Sequence, residues 1–263
     1  MSDLKIYIST FGIPLKKKWE GIPIEVGADL RDNYIYNLKD STGDSISKEN
    51  PYMAEMTGLY WIWKNVKLND CDIVGFYHYN KRLRISSSKI KKLFKKNQYE
   101  RLWIVKKGVK AIAHDYPDDI DVIKEILYEK YPRYYKSWVN LYNCDGSSDL
   151  RVCNAANMFV TSKEEFEKYC DWIFPIMFEL KKRVGDVEER EKYHKRYCAF
   201  IAERLLSVYI KTQNCKKIEV EIDYGENYFR YIMRVLVSML PDRILKKIPF
   251  QNKGKSSYRL EEE

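Results

Sequence analysis

The sequence lacks the short motifs by which several large enzyme classes are recognised. It has no G-x-G-x-x-G, no P-loop, no G-x-S-x-G and no H-E-x-x-H. In each of these motifs the spacing places glycines, a nucleophile or metal ligands where the chemistry needs them. Their absence argues against a standard dinucleotide oxidoreductase, a P-loop NTPase, an α/β-hydrolase and a zincin.

Cysteine pairs and long apolar runs are also missing. None of the six cysteines forms a C-x-x-C pair, and no Cys/His spacing suits a zinc site. No stretch approaches the roughly 18 consecutive apolar residues of a transmembrane helix. The N-terminus has neither the basic start nor the apolar run of a signal peptide. We therefore expect reduced thiols and a cytoplasmic protein.

The charge balance is basic, with 47 Lys and Arg against 38 Asp and Glu and a formal net charge of +9. A basic surface attracts nucleic acid, an anionic membrane or phosphorylated small molecules. No zinc-finger, RNP-type or basic-region heptad pattern accompanies the charge, so we expect no nucleic-acid partner. The 22 tyrosines and 6 tryptophans suit a sugar-binding cleft, although such rings more often fill a core.

Short β-rich runs alternate with longer helical patterns along the chain. This alternation predicts an α/β fold with a mixed, mainly parallel sheet flanked by helices. We expect one domain over residues 1–222 and a basic extension with a tail over 223–263. The predicted strands are 5–10, 22–26, 72–77, 102–105, 157–161 and 218–222, and the predicted helices are 55–66, 118–131, one capped by Ser162 with Glu165, and 196–211.

The C-terminal extension is apolar and basic. Its first part, 228–240, carries Arg230 and Arg234 one helical turn apart. The extension suits docking on an anionic bilayer, but an ordinary core or dimer helix is the favoured interpretation for 228–240. The more membrane-facing part is Lys246 and Lys247 with Ile244, Leu245, Ile248 and Phe250. Residues 251–263 have the composition of a disordered tail.

Six blocks of aromatic and polar residues run in order across most of residues 5–210. One of them is Asn50-Pro-Tyr-Met-Ala-Glu-Met-Thr-Gly-Leu-Tyr-Trp-Ile-Trp-Lys-Asn65, which is far more specific than a short motif. Together they resemble the DUF4422 family. The resemblance implies a GT-A-type glycosyltransferase of capsule or O-antigen synthesis, whose characterised relatives transfer galactofuranose from the UDP sugar. The other blocks are 40–47, 73–79, 157–160, 169–180 and 196–205.

The sequence departs from the family pattern at two places. Relatives usually continue their histidine as His-Tyr-Arg-Arg-Tyr, whereas His78-Tyr79 is followed here by Asn80-Lys81-Arg82. Their first strand often ends in Thr-His-Lys, and this one ends in Thr10-Phe11-Gly12. Both departures fall where the family contacts its donor, so they bear on the donor sugar and on activity.

A GT-A site has to hold a nucleotide diphosphate, often through Mg²⁺ or Mn²⁺ bound by Asp-x-Asp at a strand end. No carboxylate follows the strand 72–77 within His78–Arg82. Lys81, Arg82 and Arg84 could neutralise the diphosphate directly, and His78 could donate to it or bind a metal. We therefore expect weaker metal dependence than in Asp-x-Asp enzymes, with Mg²⁺ or Mn²⁺ left as an alternative. A histidine that only caps a buried strand is the structural alternative.

Two carboxylates are candidates for the general base. Glu203 lies seven residues after Arg196 on a predicted helix, so both are expected on one face. The structural alternative is an Arg196–Glu203 ion pair. Asp115, beside His114 in a loop with a proline, is the second candidate, and His114 is counted with the substrate-binding residues.

Further residues are predicted to contact the nucleotide sugar. Asp40, Asp44 and Asn50 could pair with ribose hydroxyls or the uracil edge, although Asx turns could equally hold that loop. The set is completed by residues at strand ends and on the helix after the loop. These are Thr10, Glu55, Tyr60, Trp61, Tyr79 and Asn157.

The predicted reaction is transfer of a sugar from a UDP donor to a hydroxyl of a lipid-linked surface polysaccharide, on the inner face of the plasma membrane. If the donor is UDP-α-galactofuranose and the product linkage is β, the configuration of the anomeric carbon is inverted. Two rivals remain at this stage. One is a nucleotide-sugar hydrolase or a transferase for another sugar, and the other is a non-catalytic binding subunit of the assembly machinery.

Overall fold

The structure is a computed structural model, and it describes residues 3–15, 19–70, 72–97, 100–110, 117–142, 152–154 and 156–225. These residues form ten strands: β1 (Leu4–Thr10), β2 (Ile22–Glu25), β3 (Ile73–His78), β4 (Arg82–Leu83), β5 (Leu102–Lys106), β6 (Val109–Lys110), β7 (Val152–Cys153), β8 (Phe159–Ser162), β9 (Lys216–Val220) and β10 (Ile222–Asp223). They also form seven α-helices: α1 (Asn50–Met53), α2 (Met56–Asn65), α3 (Ser87–Lys96), α4 (Pro117–Lys130), α5 (Pro132–Tyr142), α6 (Lys163–Val184) and α7 (Tyr197–Thr212). Short 3₁₀ turns lie at Ala28–Leu30, Ser47–Glu49 and His194–Arg196.

Six strands form the central sheet in the order β2-β1-β3-β8-β5-β9. Every neighbouring pair is parallel except the two that involve β8, which runs antiparallel to β3 and to β5. The predicted mixed, mainly parallel sheet is therefore confirmed. Because β8 is reversed, its first residues lie at the edge where the parallel strands end.

Alternate residues of each strand point to opposite faces of the sheet, and each face has its own apolar cluster. Tyr7 and Phe76 belong to a large cluster that includes buried residues of α2, α4, α5, α6 and α7. Ile8 and Tyr77 belong to a smaller cluster that includes Ile90 of α3. The central strands are thus covered on both sides, which explains their nearly continuous apolar sequences.

The predicted helices appear as α2, α4, α6 and α7, and the predicted strands as the six of the central sheet. Ser162 caps α6 as expected, since its side chain accepts a hydrogen bond of 3.3 Å from the backbone N–H of Glu165. Three helices, α1, α3 and α5, were not predicted. Two small antiparallel pairs, β4 with β10 and β6 with β7, were also not predicted.

The chain divides into Met1–Tyr224 and Gly225–Glu263. The predicted extension and its membrane-docking segment lie outside the described residues and stay predictions. Among the described helices, none has both the length and the apolar character to cross a membrane. Cys170, Cys198 and Cys215 are free thiols.

Candidate active site

Three predicted site residues meet at one edge of the central sheet. Thr10 ends β1, His78 ends β3, and Asn157 lies just before the reversed strand β8. The register pairs Ser9 with His78, and the N–H of Tyr79 donates to the carbonyl of Ser9 at 2.9 Å. Ligands of open α/β sheets bind at this carboxyl edge, so the position suits a binding site.

His78 is anchored across this edge. Its Nε2 lies 2.5 Å from the carbonyl oxygen of Ala156. Because a carbonyl can only accept, Nε2 carries the proton and Nδ1 keeps its lone pair. Burial, with the charge of Lys81 next, lowers the pKa of His78 to about 4, and Glu55 only partly opposes this. The imidazole is therefore neutral near pH 7.

Glu55 and Asn157 form the centre of the site. Asn157 Nδ2 donates to Glu55 Oε1 at 2.7 Å and also to the carbonyl of Ala199 at 3.2 Å. Burial alone would raise the pKa of Glu55. In the acid range where His78 takes up its proton, the charge of that ring, the hydrogen bond from Asn157 and the charge of Arg196 together outweigh burial, so the pKa of Glu55 lies below its usual value. Glu55 is thus an ionised carboxylate held in a fixed orientation.

The side-chain oxygen of Asn157, Oδ1, has no hydrogen-bond partner among the described residues. Asn157 is only 1% exposed, and Oδ1 accepts no hydrogen bond among the described residues. A buried polar atom left unpaired costs about 1–3 kcal/mol, so such an atom usually indicates a missing ligand or water. Oδ1 of Asn157 is therefore a candidate acceptor for a substrate hydroxyl.

The backbone around these residues is strained. Ala54, directly before Glu55, has φ 45°, Ala156 has φ 110° and Asn157 has φ 44°. Each costs about 1–3 kcal/mol and is kept only where the surrounding structure enforces it. Three of the four non-glycine residues with positive φ in the described part of the chain thus flank one site. Strained residues concentrate at functional sites, which supports this assignment.

Glu203 of α7 belongs to the same electrostatic cluster. Its side chain is 18% exposed and accepts a hydrogen bond of 2.8 Å from Nη1 of Arg204. Burial raises its pKa above the usual value, Lys81 and Arg204 oppose this, and the charge of Glu55 adds to it. The environments of Glu55 and Glu203 therefore push their pKa values apart, a pattern that separates the roles of two carboxylates in acid–base catalysis.

The Arg196–Glu203 ion pair, which the sequence left open as the structural alternative, is not among the salt bridges of the described residues, where Arg204 is the partner of Glu203. Arg196 lies in the 3₁₀ turn before α7, so the seven-residue helical spacing does not apply to it. Its guanidinium lies 4.7 Å from the ring centre of Tyr193 and 5.5 Å from that of Phe200. It still acts on the site through its charge, which lowers the pKa of Glu55 and of His78.

Two of the three basic residues after β3, Arg82 and Arg84, form salt bridges with Asp223 of β10. Arg82 Nε lies 3.1 Å and Arg84 Nη2 3.7 Å from its carboxylate oxygens. A tight turn, closed by hydrogen bonds of 3.2 Å in both directions, brings Lys81 back beside His78. Lys81 makes no salt bridge with a carboxylate of the described residues. Of the three predicted cations, Lys81 is therefore the one with its charge available for a ligand.

The loop before α1 is held by its own side chains. The buried carboxylate of Asp40 accepts four hydrogen bonds, from the N–H groups of Gly27 (2.9 Å) and Ala28 (3.0 Å) and from the hydroxyls of Ser47 and Thr57 (both 2.6 Å). All its strong acceptor positions are thus used inside the protein. The structure therefore favours a structural role for Asp40, which holds its own loop through these hydrogen bonds, over a contact with the ribose.

Other predicted residues of this region also bond internally. Asn50 Nδ2 donates to the carbonyl of Ala54 at 2.7 Å, which supports the strained residue before Glu55. Tyr60 donates to the exposed Asp44 at 2.9 Å, and Trp61 Nε1 donates to the carbonyl of Thr42 at 2.6 Å. These three side chains hold the loop against α2, and Asp44 keeps acceptor capacity toward solvent.

The end of β1 contains an arrangement that the sequence did not reveal. Buried Glu25 accepts hydrogen bonds of 2.9 Å from Arg31 Nη2 and from the N–H of Gly12. The Arg31 guanidinium lies 4.4 Å from the ring centre of Phe11, which is 41% exposed. Thr10 is buried, and its hydroxyl donates to the carbonyl of Ile13. Phe11 is thus a ring fixed on one side by a cation and open to solvent.

Two of the predicted site residues and the metal alternative remain to be considered. His114 and Asp115 lie outside the described residues, so their roles stay predictions. Within the described ranges, no group of three or more His, Cys, Asp or Glu is arranged to hold a metal ion. Cavities of about 330 and 370 Å³ lie elsewhere, the first beside Asn154 and Ser207 and the second beside Tyr134 and Trp172.

The strand order, the reversed strand β8 and the flanking helices define a GT-A-like, Rossmann-type fold. A family model described as "Domain of unknown function (DUF4422)" matches residues 5–214, and the chain belongs to this family. A solved structure described as the apo form of the bifunctional glycosyltransferase WbbM is similar, with a TM-score of 0.66 and 27% identity. The similarity covers 84% of this chain and 45% of that one, so this chain spans less than half of WbbM. No curated protein matches the sequence.

Proposed function

We propose that this protein is a glycosyltransferase that moves galactofuranose from UDP-galactofuranose onto a hydroxyl of a lipid-linked surface polysaccharide. The observation that carries the proposal is the cluster of Glu55, His78, Asn157 and Glu203 at the carboxyl edge of a GT-A-like sheet. The similarity to a bifunctional glycosyltransferase supports the reaction class. The proposed place of action is the cytoplasmic face of the membrane, where lipid-linked acceptors lie.

The UDP moiety is proposed to bind outside the ends of β1 and β3. The solvent-exposed face of the Phe11 ring is proposed to stack against the flat uracil ring. Lys81 neutralises the charge that develops on the diphosphate as it leaves, a role that suits its ammonium group because it makes no salt bridge with a carboxylate of the described residues. Glu55 and Oδ1 of Asn157 accept hydrogen bonds from the sugar hydroxyls.

Glu203 is proposed as the general base. An acceptor hydroxyl gives its proton to the Glu203 carboxylate while its oxygen forms a bond to the anomeric carbon. The bond between that carbon and the UDP oxygen breaks, and the electron pair leaves with the diphosphate. Attack from the side opposite to UDP inverts the anomeric centre. The raised pKa of Glu203 makes it a better proton acceptor than an ordinary glutamate near neutral pH.

Mg²⁺ or Mn²⁺, which many GT-A enzymes use, does not fit the turn after β3, and no group of three or more His, Cys, Asp or Glu among the described residues is arranged to hold it. The turn after β3 holds His78, Lys81 and Arg82 and no carboxylate. Hard divalent ions prefer several oxygen ligands, and a neighbouring ammonium group opposes their binding. No step of the proposed reaction uses a metal.

Thermal stabilisation by nucleotides tests the proposal. UDP and UDP sugars are expected to raise the melting temperature, because ligands that bind only the folded state stabilise it. CDP and GDP serve as controls for the base and are expected to act weakly. No stabilisation by any UDP compound would contradict the proposal. A non-catalytic subunit would be stabilised in the same way without turning UDP-galactofuranose over, and a hydrolase would release UDP without an acceptor.

A further inference from the structure

The helix α3 presents an unbalanced basic surface on the smaller-cluster side of the sheet. Five of its ten residues are lysines, and it contains no acidic residue. All five side chains are exposed, and none makes a salt bridge with a carboxylate of the described residues. We call this surface the lysine face, and it consists of Lys89, Lys91, Lys92, Lys95 and Lys96.

The opposite side of α3 fixes the helix to the domain. Ile90 is fully buried, and Leu93 and Phe94 pack against the same apolar cluster. With about 100° of rotation per residue, the five lysines fall within an arc of about 160° that excludes these three side chains. Ser86 caps the helix by accepting a hydrogen bond of 3.3 Å from the N–H of Lys89. The lysine face is thus rigid and directed away from the core.

The charges of α3 are arranged differently from those of the other long helix rich in lysine. On α6, Lys163 pairs with Asp70 at 2.8 Å and Lys168 with Glu164 at 2.6 Å. On α3, Lys91 and Lys95 are four residues apart, as are Lys92 and Lys96, so like charges face each other along the helix. Such pairs destabilise a helix instead of supporting it. An anionic partner would remove this repulsion.

We propose that the lysine face binds the surface of an anionic phospholipid bilayer. Four to eight basic residues on an amphipathic helix are the pattern that anionic lipid surfaces attract. Because the apolar residues of α3 are buried in the domain, the contact is electrostatic and needs no insertion. Nucleic-acid-binding surfaces use arginine and exposed aromatic rings, and the ten residues of α3 include neither. A diffuse array of lipid headgroups therefore fits the lysine face better. This inference does not depend on the proposed activity.

Co-sedimentation with vesicles tests the inference on the full chain. Vesicles of phosphatidylcholine with phosphatidylglycerol are compared with phosphatidylcholine alone. The test variant changes the five lysines of the lysine face to Gln, which keeps helix propensity high. The matched control changes five exposed lysines elsewhere to Gln, so both variants lose the same charge. The control positions are Lys48, Lys67, Lys124, Lys136 and Lys211.

The unmodified chain and the control are expected to bind the anionic vesicles and to dissociate as salt is raised, because screening shortens the reach of surface charges. Each lysine adds roughly five-fold in affinity, so removal of all five should weaken binding by up to about 3000-fold. Equal binding by both variants, or equal loss in both, would overturn the inference. Tight binding to a DNA duplex without binding to vesicles would do the same. Stabilisation by UDP, measured on each variant, reports separately on the nucleotide site and on folding.

Discussion

Asn157 and Glu55, which are 102 residues apart in the sequence, are joined by a hydrogen bond of 2.7 Å from Nδ2 to Oε1. Each lies at a strained turn, since Asn157 itself has φ 44° and Ala54, before Glu55, has φ 45°. Asparagine tolerates this backbone region better than most residues. The contact ties the start of β8 to the start of α2 and fixes an ionised carboxylate at the carboxyl edge of the sheet.

Two substitutions at Asn157 separate its side chain from its backbone. Asn157→Gly and Asn157→Ala both remove the donor to Glu55, and only alanine adds strain at φ 44°. We expect the same large loss of turnover in both variants and an extra loss of about 1 kcal/mol in the stability of the alanine variant. Urea unfolding and an activity assay measure the two effects. Normal turnover of Asn157→Gly would remove this side chain from the site.

Much of the fold could be predicted from local patterns. The six strands of the central sheet and four of the helices follow from apolar periodicity and from caps such as Ser162, which depend on neighbouring residues only. Helix α3 was missed although its sequence holds the signal. Ile90, Leu93 and Phe94 have helical spacing after the cap Ser86, but the surrounding lysines were considered only as part of the basic charge balance.

The site was harder to predict, because it depends on contacts between distant segments. His78, Asn157 and Glu55 were named from their places at strand ends and on the helix after the loop, and the sequence could not show that Asn157 contacts Glu55. Glu203 was named from a helical spacing to Arg196, which does not apply because Arg196 lies outside the helix. The role of Asp40 inside its loop depends on Gly27 and Thr57, which only the folded chain brings together.

Lys81→Gln is expected to weaken UDP binding and to leave uridine binding unchanged. The substitution removes the charge beside His78 that is proposed to meet the diphosphate, and a hydrogen bond to a charged group contributes about 1.5–3 kcal/mol. The affinity for UDP should therefore fall roughly 10-fold or more. Lys67→Gln, an exposed lysine elsewhere, is the control. Calorimetric titration measures both ligands, and an equal effect on uridine would show that Lys81 acts on the fold instead.

Turnover is expected to persist largely in EDTA, since the turn after β3 offers cations where Asp-x-Asp enzymes offer carboxylates. The rate is compared in EDTA and after addition of Mg²⁺ or Mn²⁺. If EDTA abolished activity and either ion restored it, the metal ligands would have to be sought among residues that the structure does not describe.

His78 makes the fold sensitive to acid. Its pKa of about 4 lies below the usual 6.5 because burial disfavours the charged ring. As the pH falls, the unfolded chain binds the proton before the folded chain does, because the pKa of its histidine is higher. The contribution of the neutral His78 to stability is therefore fully present above pH 6.5 and is lost as the pH falls toward 4. The difference corresponds to roughly 3 kcal/mol. The glutamine of His78→Gln cannot titrate. In urea unfolding, the free energy of unfolding of this variant should therefore decline less steeply between about pH 7 and about pH 4. An unchanged decline would mean that His78 is not buried as a neutral ring.

Replacing Glu203 by Gln removes the base and keeps the size of the side chain. The kcat should fall by roughly 10²–10⁴-fold with nearly unchanged donor affinity. If Glu203 serves only as the partner of Arg204, which is 4% exposed, stability should fall by up to about 3–5 kcal/mol instead. A melting curve beside the rate assay distinguishes the two results.

The release of UDP from UDP-galactofuranose, measured with and without a lipid-linked glycan acceptor, tests the central claim most directly. The account predicts that the unmodified protein releases UDP only when the acceptor is present, and that Glu203→Gln folds and binds UDP but releases it far more slowly. Release that does not need the acceptor, or a stable Glu203→Gln variant with near-normal turnover, would contradict the account.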